Sequence, residues 1–300
     1  MLKIAFSPIY KYKLPEKHRF PMVKYELIPE QLLYEGTVTE DQFFHPKPLT
    51  EEEILWTHDK AYWEKLKHQQ LSRKEIRAIG FPMSEQLIYR GRHIANGTVQ
   101  CALYARQHGV AMNVAGGTHH SFTHKGEGFC VFNDIAIAAN YLLRHGIAKQ
   151  ILVVDLDVHQ GNGTAQIFQH DKRVFTFSMH GEKNYPLRKV PSDLDIGLPD
   201  GTEDGPYLRQ LQDTLPRLID QVEPDQIFYL SGVDVIYSDK LGRLGLSIRG
   251  CKRRDEMVLE LCKKNGVPVA ISMGGGYSER LPHIVEAHAN TFRTAQDIYF

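Results

Sequence analysis

Six apolar runs place the strongest limit on what this chain can become. "KIAF" at 3–6, "VAMNVAG" at 110–116, "ILVVDLDV" at 151–158, "VFTFSMH" at 174–180, "IFYLSGVD" at 227–234 and "VPVAISMGGG" at 267–276 are rich in β-formers. Most of them are apolar at consecutive rather than alternate positions. A strand with one face in water alternates, whereas a strand apolar throughout needs cover on both faces. Between the runs, 92–108, 133–145, 205–222 and 249–265 carry helical patterns long enough to cross between parallel strands. The pattern predicts an α/β protein: a three-layer α/β/α body around a mainly parallel sheet. With 300 residues, 42% of them hydrophobic, and no Pro-, Ser- or Gly-rich linker, one domain spanning 1–300 is expected.

Charge excludes some functions. Lys plus Arg and Asp plus Glu both number 36, so no basic excess points to nucleic acid. The N-terminal apolar run is too short for a signal-peptide core and no stretch of about 18 apolar residues could span a bilayer, which predicts a soluble, cytoplasmic protein. Four widely spaced cysteines, Cys101, Cys130, Cys251 and Cys262, form no C-x-x-C pair and fit reduced structural thiols. A metal site would draw on His and Asp instead.

In a parallel α/β sheet, ligands collect beyond the carboxyl ends of the strands. Polar residues follow five of the runs: "GGTHHS", "DLDVHQGN", "SMH", "SGVDVIYSD" and "GGGYS". If the extended chain persists to residue 159, alternation puts Asp155, Asp157 and His159 on one face. Buried together, they need a cation or donors to compensate. Alone, D-x-H is more often a capped strand end or a solvated loop. Asp234, at the end of another apolar run, adds a third oxygen-bearing ligand, and two carboxylates with one imidazole suit a catalytic metal with an open position. Each remaining candidate also has an ordinary structural alternative. Asp234 could be a turn carboxylate, His119 and His120 a surface pair, and Tyr277 a tyrosine packed at the core rim.

Taken in order, "GGTHHSFTHKGEGFCVFND", "VVDLDVHQGNG", "FSMH", "SGVDVIYSDKLGRLGLS" and "GGGYS" resemble the histone deacetylase family of zinc-dependent amidohydrolases, with its arginase/deacetylase fold. The resemblance spans most of the chain. "DVHQGNG" is most similar to the class IV deacetylases and their bacterial relatives, since classes I and II usually place aspartate where Asn162 stands. The resemblance implies Asp157, His159 and Asp234 as zinc ligands, His119 and His120 as the histidine pair, with Asp155 behind His119 and Asn162 behind His120, and Tyr277 as the catalytic tyrosine. His120 would act as general base and then acid, and Tyr277 would donate to the developing oxyanion. It further implies a structural potassium ion ringed by the backbone of Asp155, Asp157, His159 and Ser178. Gly128, Phe129 and Tyr185 would line an acyl-lysine tunnel, and Phe81 and Pro82 in 77–91 are either rim residues or part of a packed loop.

The expected reaction is removal of an acetyl or longer fatty acyl group from the ε-amine of lysine in a protein or peptide. Zinc is the expected metal, though a carboxylate-rich site also accepts ferrous iron. Three rivals stand beside it: a deacetylase of acetylated polyamines or another small amide, a silent acyl-lysine binding module, and an arginase-like two-manganese enzyme. The last needs more ligands than this chain offers, and a silent binder needs no proton-transfer groups.

Overall fold

A computed structural model describes all 300 residues. Eight parallel strands, β1 (Lys3–Ala5), β2 (Phe43–Phe44), β3 (Val110–Asn113), β4 (Ile151–Asp155), β5 (Val174–Gly181), β6 (Leu194–Leu198), β7 (Gln226–Gly232) and β8 (Val269–Gly274), form one sheet. Their order is β2-β1-β3-β8-β7-β4-β5-β6. Every residue of β3, β4, β7 and β8 is buried, as the unbroken apolar runs require. The two strands that sequence patterning does not find, β2 and β6, lie at the sheet edges, where no residue of β2 and only Leu198 of β6 is buried.

The helices are α1 (Lys24–Tyr34), α2 (Glu51–Leu55), α3 (Lys60–Lys67), α4 (Arg73–Ile79), α5 (Glu85–His108), α6 (Asp134–Arg144), α7 (Asn162–Phe168), α8 (Asp204–Val222), α9 (Ile248–Lys264) and α10 (Leu281–Tyr299). Three of the four predicted helices, α6, α8 and α9, match closely, while the first, α5, begins earlier, at Glu85. There the Ser84 hydroxyl accepts from the Leu87 N–H at 3.1 Å and caps the new start. α5 packs on β1, β3 and β8 and on α6, while α8, α9, α10 and α1 form a second contiguous set. A single hydrophobic cluster of 81 buried residues runs through strands and helices alike. No helix is long and apolar enough to cross a membrane.

This topology positions the site. From β3 the chain crosses to β4 and later returns to insert β7 and β8 between them, so the carboxyl ends of β3, β8, β7 and β4 lie side by side. That is where an open parallel sheet offers a crevice.

Candidate active site

The row Asp155, Asp157, His159 converges by a route other than the expected one. β4 ends at Asp155 and the extended conformation does not persist. Instead, Asp155 Oδ1 accepts from the Asp157 N–H at 3.1 Å and Asp157 Oδ1 from the His159 N–H at 2.9 Å, two successive Asx-type turns. Side chain and backbone thereby fix one another. Asp234, just past β7, accepts from the Val158 N–H at 3.1 Å.

Asp157, His159 and Asp234 are all buried, and their ligand atoms lie within 4.8 Å of one another. His159 Nδ1 stands 3.0 Å from Asp157 Oδ1 and 3.1 Å from Asp234 Oδ2. The second approach is poorly aligned, and Asp234 Oδ2 is left without a hydrogen bond. Burial opposes charge on all three groups. Even so, hydrogen bonds from His159 hold Asp157 low, burial and then Asp157 push Asp234 up to about 7, and the two carboxylates lift His159 to about 10 against its own burial. Such a cluster holds a proton where it would better hold a divalent cation. An orphaned carboxylate oxygen beside an imidazole and a second carboxylate fits a metal.

The loop after β3 delivers His119 and His120, with ring centroids 4.1 Å apart and unlike partners. His119 Nδ1 meets Asp155 Oδ2 at 2.6 Å, and this carboxylate outweighs burial to raise the His119 pKa. His120 Nδ1 meets only the Asn162 amide oxygen, at 2.7 Å. Burial, then the nearby His119 and His159, push His120 well below the ordinary histidine range, leaving a neutral imidazole.

After β8 the chain turns through Gly275, at φ +55°, where a Cβ would come within 2.1 Å of the Asp234 carboxylate. Only glycine passes so close, and two residues later Tyr277 faces the cluster, its ring centroid 6.4 Å from that of His159. Burial, then Asp234 and Asp157, keep its phenol protonated, hence a donor. Asp239 braces the turn, accepting from the Tyr277 N–H at 2.6 Å.

Two spaces flank the cluster and share His120, Gly128, Phe129, His159 and Tyr277 in their linings. The outer one, about 230 Å³, is lined by Arg19, Ala78, His120, Gly128, Phe129, His159, Tyr185, Leu241 and Tyr277. Gly128 and Phe129, both with positive φ, donate their N–H groups to the last carbonyls of α4, Ala78 and Ile79, so the tunnel wall also caps a helix. Tyr185 stands opposite, edge-on to His120 at 4.9 Å. The inner space, about 50 Å³, reaches Phe20, Lys24, Tyr25, Phe81 and Arg90.

All the residues singled out for the zinc and catalytic roles therefore meet in one place. Ser178 lies in register with Asp155 on the neighbouring strand. Of the two rim candidates, Phe81 is only 2% exposed and packs against Phe20 and Phe129, so it belongs to the inner aromatic cluster, whereas Pro82 is exposed. Sequence reasoning missed Glu127, Asp239, Lys24 and Arg90. Glu127 in "GEGFC" and Asp239 in "YSDK" lay inside quoted motifs, but only the folded chain shows their contacts.

A model of the histone deacetylase domain matches residues 18–292. The chain belongs to the histone deacetylase family. An uncharacterised protein of Picosynechococcus sp. is 43% identical over 99% of either chain, and histone deacetylase 2 of Arabidopsis thaliana is 27% identical over 95% of this chain and 76% of that one. Among solved structures, an HDAC homologue complexed with SAHA superposes with a TM-score of 0.86 at 25% identity, covering 99% of this chain and 84% of the other. The eight-stranded parallel sheet is the arginase/deacetylase fold of that homologue, and deacetylase chemistry, hydrolysis of an amide, follows from the family.

Proposed function

We propose that this histone deacetylase-family chain is a zinc-dependent lysine deacetylase acting on acetyl-lysine in a protein or peptide, of the class IV type that "DVHQGNG" resembles. The observation that carries the reading is the placement of a buried Asp157–His159–Asp234 cluster, a neutral His120 and a protonated Tyr277 between an aromatic tunnel and a small inner space.

Asp157, His159 and Asp234 would hold the metal, zinc or ferrous iron. When bound, it supplies Lewis acidity toward the acyl carbonyl and makes water acidic enough to attack near neutral pH. His120 Nε2 takes the proton as the new C–O bond forms, then gives it to the lysine nitrogen as the C–N bond breaks. Tyr277 donates its O–H to the oxygen on which charge develops. His119, drawn toward the charged form by Asp155, adds positive potential beside that oxygen. Potassium at the backbone of Asp155, Asp157, His159 and Ser178 is part of the proposal.

Phe129 and Tyr185 suit the apolar lysine stem. The inner volume supports acetyl over long acyl groups. At about 10–15 Å³ for each water-sized group, the fourteen carbons of a myristoyl chain need roughly 140–210 Å³, against about 50 Å³ here. A polyamine's second ammonium would want a carboxylate at the mouth. No carboxylate lines the outer space; Glu127, which accepts from the Tyr185 hydroxyl, is already engaged by Lys125 and Asn162, and the one charged side chain of the lining outside the cluster is Arg19.

Metal-quantified protein assayed on an acetyl-lysine peptide and on an N-acetylated polyamine tests the choice of substrate. Higher kcat/KM on the peptide, lost on chelation and restored by zinc, is expected; higher kcat/KM on the polyamine assigns the site to small amines.

A further inference from the structure

The carboxylate of Glu127 contacts neither the metal ligands nor the reacting atoms, yet it ties three parts of the site together. Its Oε1 accepts from Asn162 Nδ2 at 2.8 Å and from the Tyr185 hydroxyl at 2.7 Å, and its Oε2 accepts from Lys125 Nζ at 2.9 Å. Burial works against its charge, but the three donors outweigh burial and hold the group below the usual glutamate range. A carboxylate is an acceptor only.

That one-way character runs through the chain of hydrogen bonds. Because Glu127 can only accept, Asn162 must present its NH2 to Glu127 and its carbonyl oxygen to His120. The same oxygen also accepts from the Gly163 N–H at 3.0 Å, which fixes the amide in that orientation. An amide oxygen 2.7 Å from His120 Nδ1 requires a donor there, so the proton of the neutral imidazole sits on Nδ1 and the Nε2 lone pair is free. The histidine backed by an amide thus borrows its orientation from a carboxylate one residue further out.

We propose that Glu127 is a positioning residue, which through Asn162 sets the tautomer that makes His120 a base and through Tyr185 holds the tunnel wall against the same histidine. The role rests on the deacetylase reading above, but its geometric half can be read without turnover.

The test uses zinc-loaded protein. Imidazole 15N spectra of the wild type should show His120 protonated on Nδ1; a proton on Nε2 overturns the proposal. Glu127→Leu, with zinc content unchanged, should lose kcat by about 10- to 100-fold, the usual cost of removing an outer hydrogen-bond partner. Glu127→Gln, whose amide oxygen still accepts from Asn162 and Tyr185, should recover most of that loss. An unchanged kcat in Glu127→Leu, or equal losses in both variants, would contradict it. Should Glu127→Leu fail to fold, the wild-type spectrum and Glu127→Gln decide. Failure of wild-type turnover on every acylated substrate would remove the deacetylase reading while leaving the tautomer as the spectrum gives it.

Discussion

Outside the Asp157–His159–Asp234 cluster the site is an aromatic passage of about 230 Å³; inside the cluster it shrinks to about 50 Å³ and gains two buried cations, Lys24 and Arg90. The outer walls are Phe129 and Tyr185, which suit a methylene stem and leave its backbone outside. The inner floor suits the other half of an amide. On the deacetylase reading proposed above, that half becomes a small carboxylate on hydrolysis, and it would meet Lys24, whose Nζ donates to the Gly275 carbonyl and sits 5.1 Å from the Phe20 ring centroid. On the same proposed reading, the difference teaches that the cluster divides two binding problems, one apolar and one ionic, with the bond to be cut on the dividing line.

The strongest way to break the comparison is at that line. Tyr277→Phe leaves both spaces and the ligands intact and removes one donor to the oxyanion; turnover should fall by about 10²- to 10³-fold, about 3 kcal/mol, with metal content unchanged. Steady-state kinetics alongside metal analysis check it.

A smaller effect probes the inner floor. Lys24→Met conserves shape and removes the charge, so inhibition by acetate should weaken by about tenfold, the worth of a charge-assisted hydrogen bond. The wild type provides its own control through pH. Burial lowers Lys24 to about 8, with Asp234, Asp157 and Asp239 opposing the fall, and a bound divalent cation would push it the same way as burial. The Lys24 ammonium is present below its pKa and lost above it, so acetate inhibition should be strongest on the acid side of neutrality and fade as pH rises through a midpoint at or below about 8. Inhibition that is flat with pH, or equal in Lys24→Met, places the carboxylate elsewhere.

The smallest expected effect sharpens the outer side. His120 must be neutral to accept a proton, so activity falls as pH drops through its pKa, and anything that raises that pKa moves the acid limb to higher pH. Asn162→Asp puts a carboxylate behind His120 and should do so. The sequence alone suggests a simple shift, but Glu127 lies 2.8 Å from Asn162, and two carboxyl groups that close share a proton. The limb should therefore move little in Asn162→Asp and further in Asn162→Asp combined with Glu127→Gln. The kcat/KM profiles of both variants decide, and equal limbs would remove Glu127 from the argument.

Much of this was legible before any fold was known, for reasons that differ between residues. Asp155, Asp157 and His159 stood out because ionisable groups at the end of an apolar strand are costly without a purpose, and Asp234 because it repeats the anomaly on another strand. The backbone route was not legible: alternation predicted a shared face, and Asx-type turns produced it. Lys24 comes from an early helix, far in sequence from every motif, and only tertiary packing sets it beneath Tyr277. Glu127 carried no signal of its own, since a glutamate between two glycines reads as a solvated loop until Asn162, Tyr185 and Lys125 close around one carboxylate. Phe81 left both readings open, because an aromatic in a loop before a proline suits a rim as well as a core, and only packing against Phe20 and Phe129 decides for the core.

The most direct test of the account is the turnover of matched peptides bearing acetyl-, octanoyl- and myristoyl-lysine by metal-quantified wild-type protein, with Tyr277→Phe as control. Hydrolysis that falls as the chain lengthens and is lost in the control is the predicted result. Preferred cleavage of the myristoyl peptide would contradict the closed, cationic inner space, and no cleavage of any peptide by zinc-loaded protein would contradict the lysine deacetylase itself.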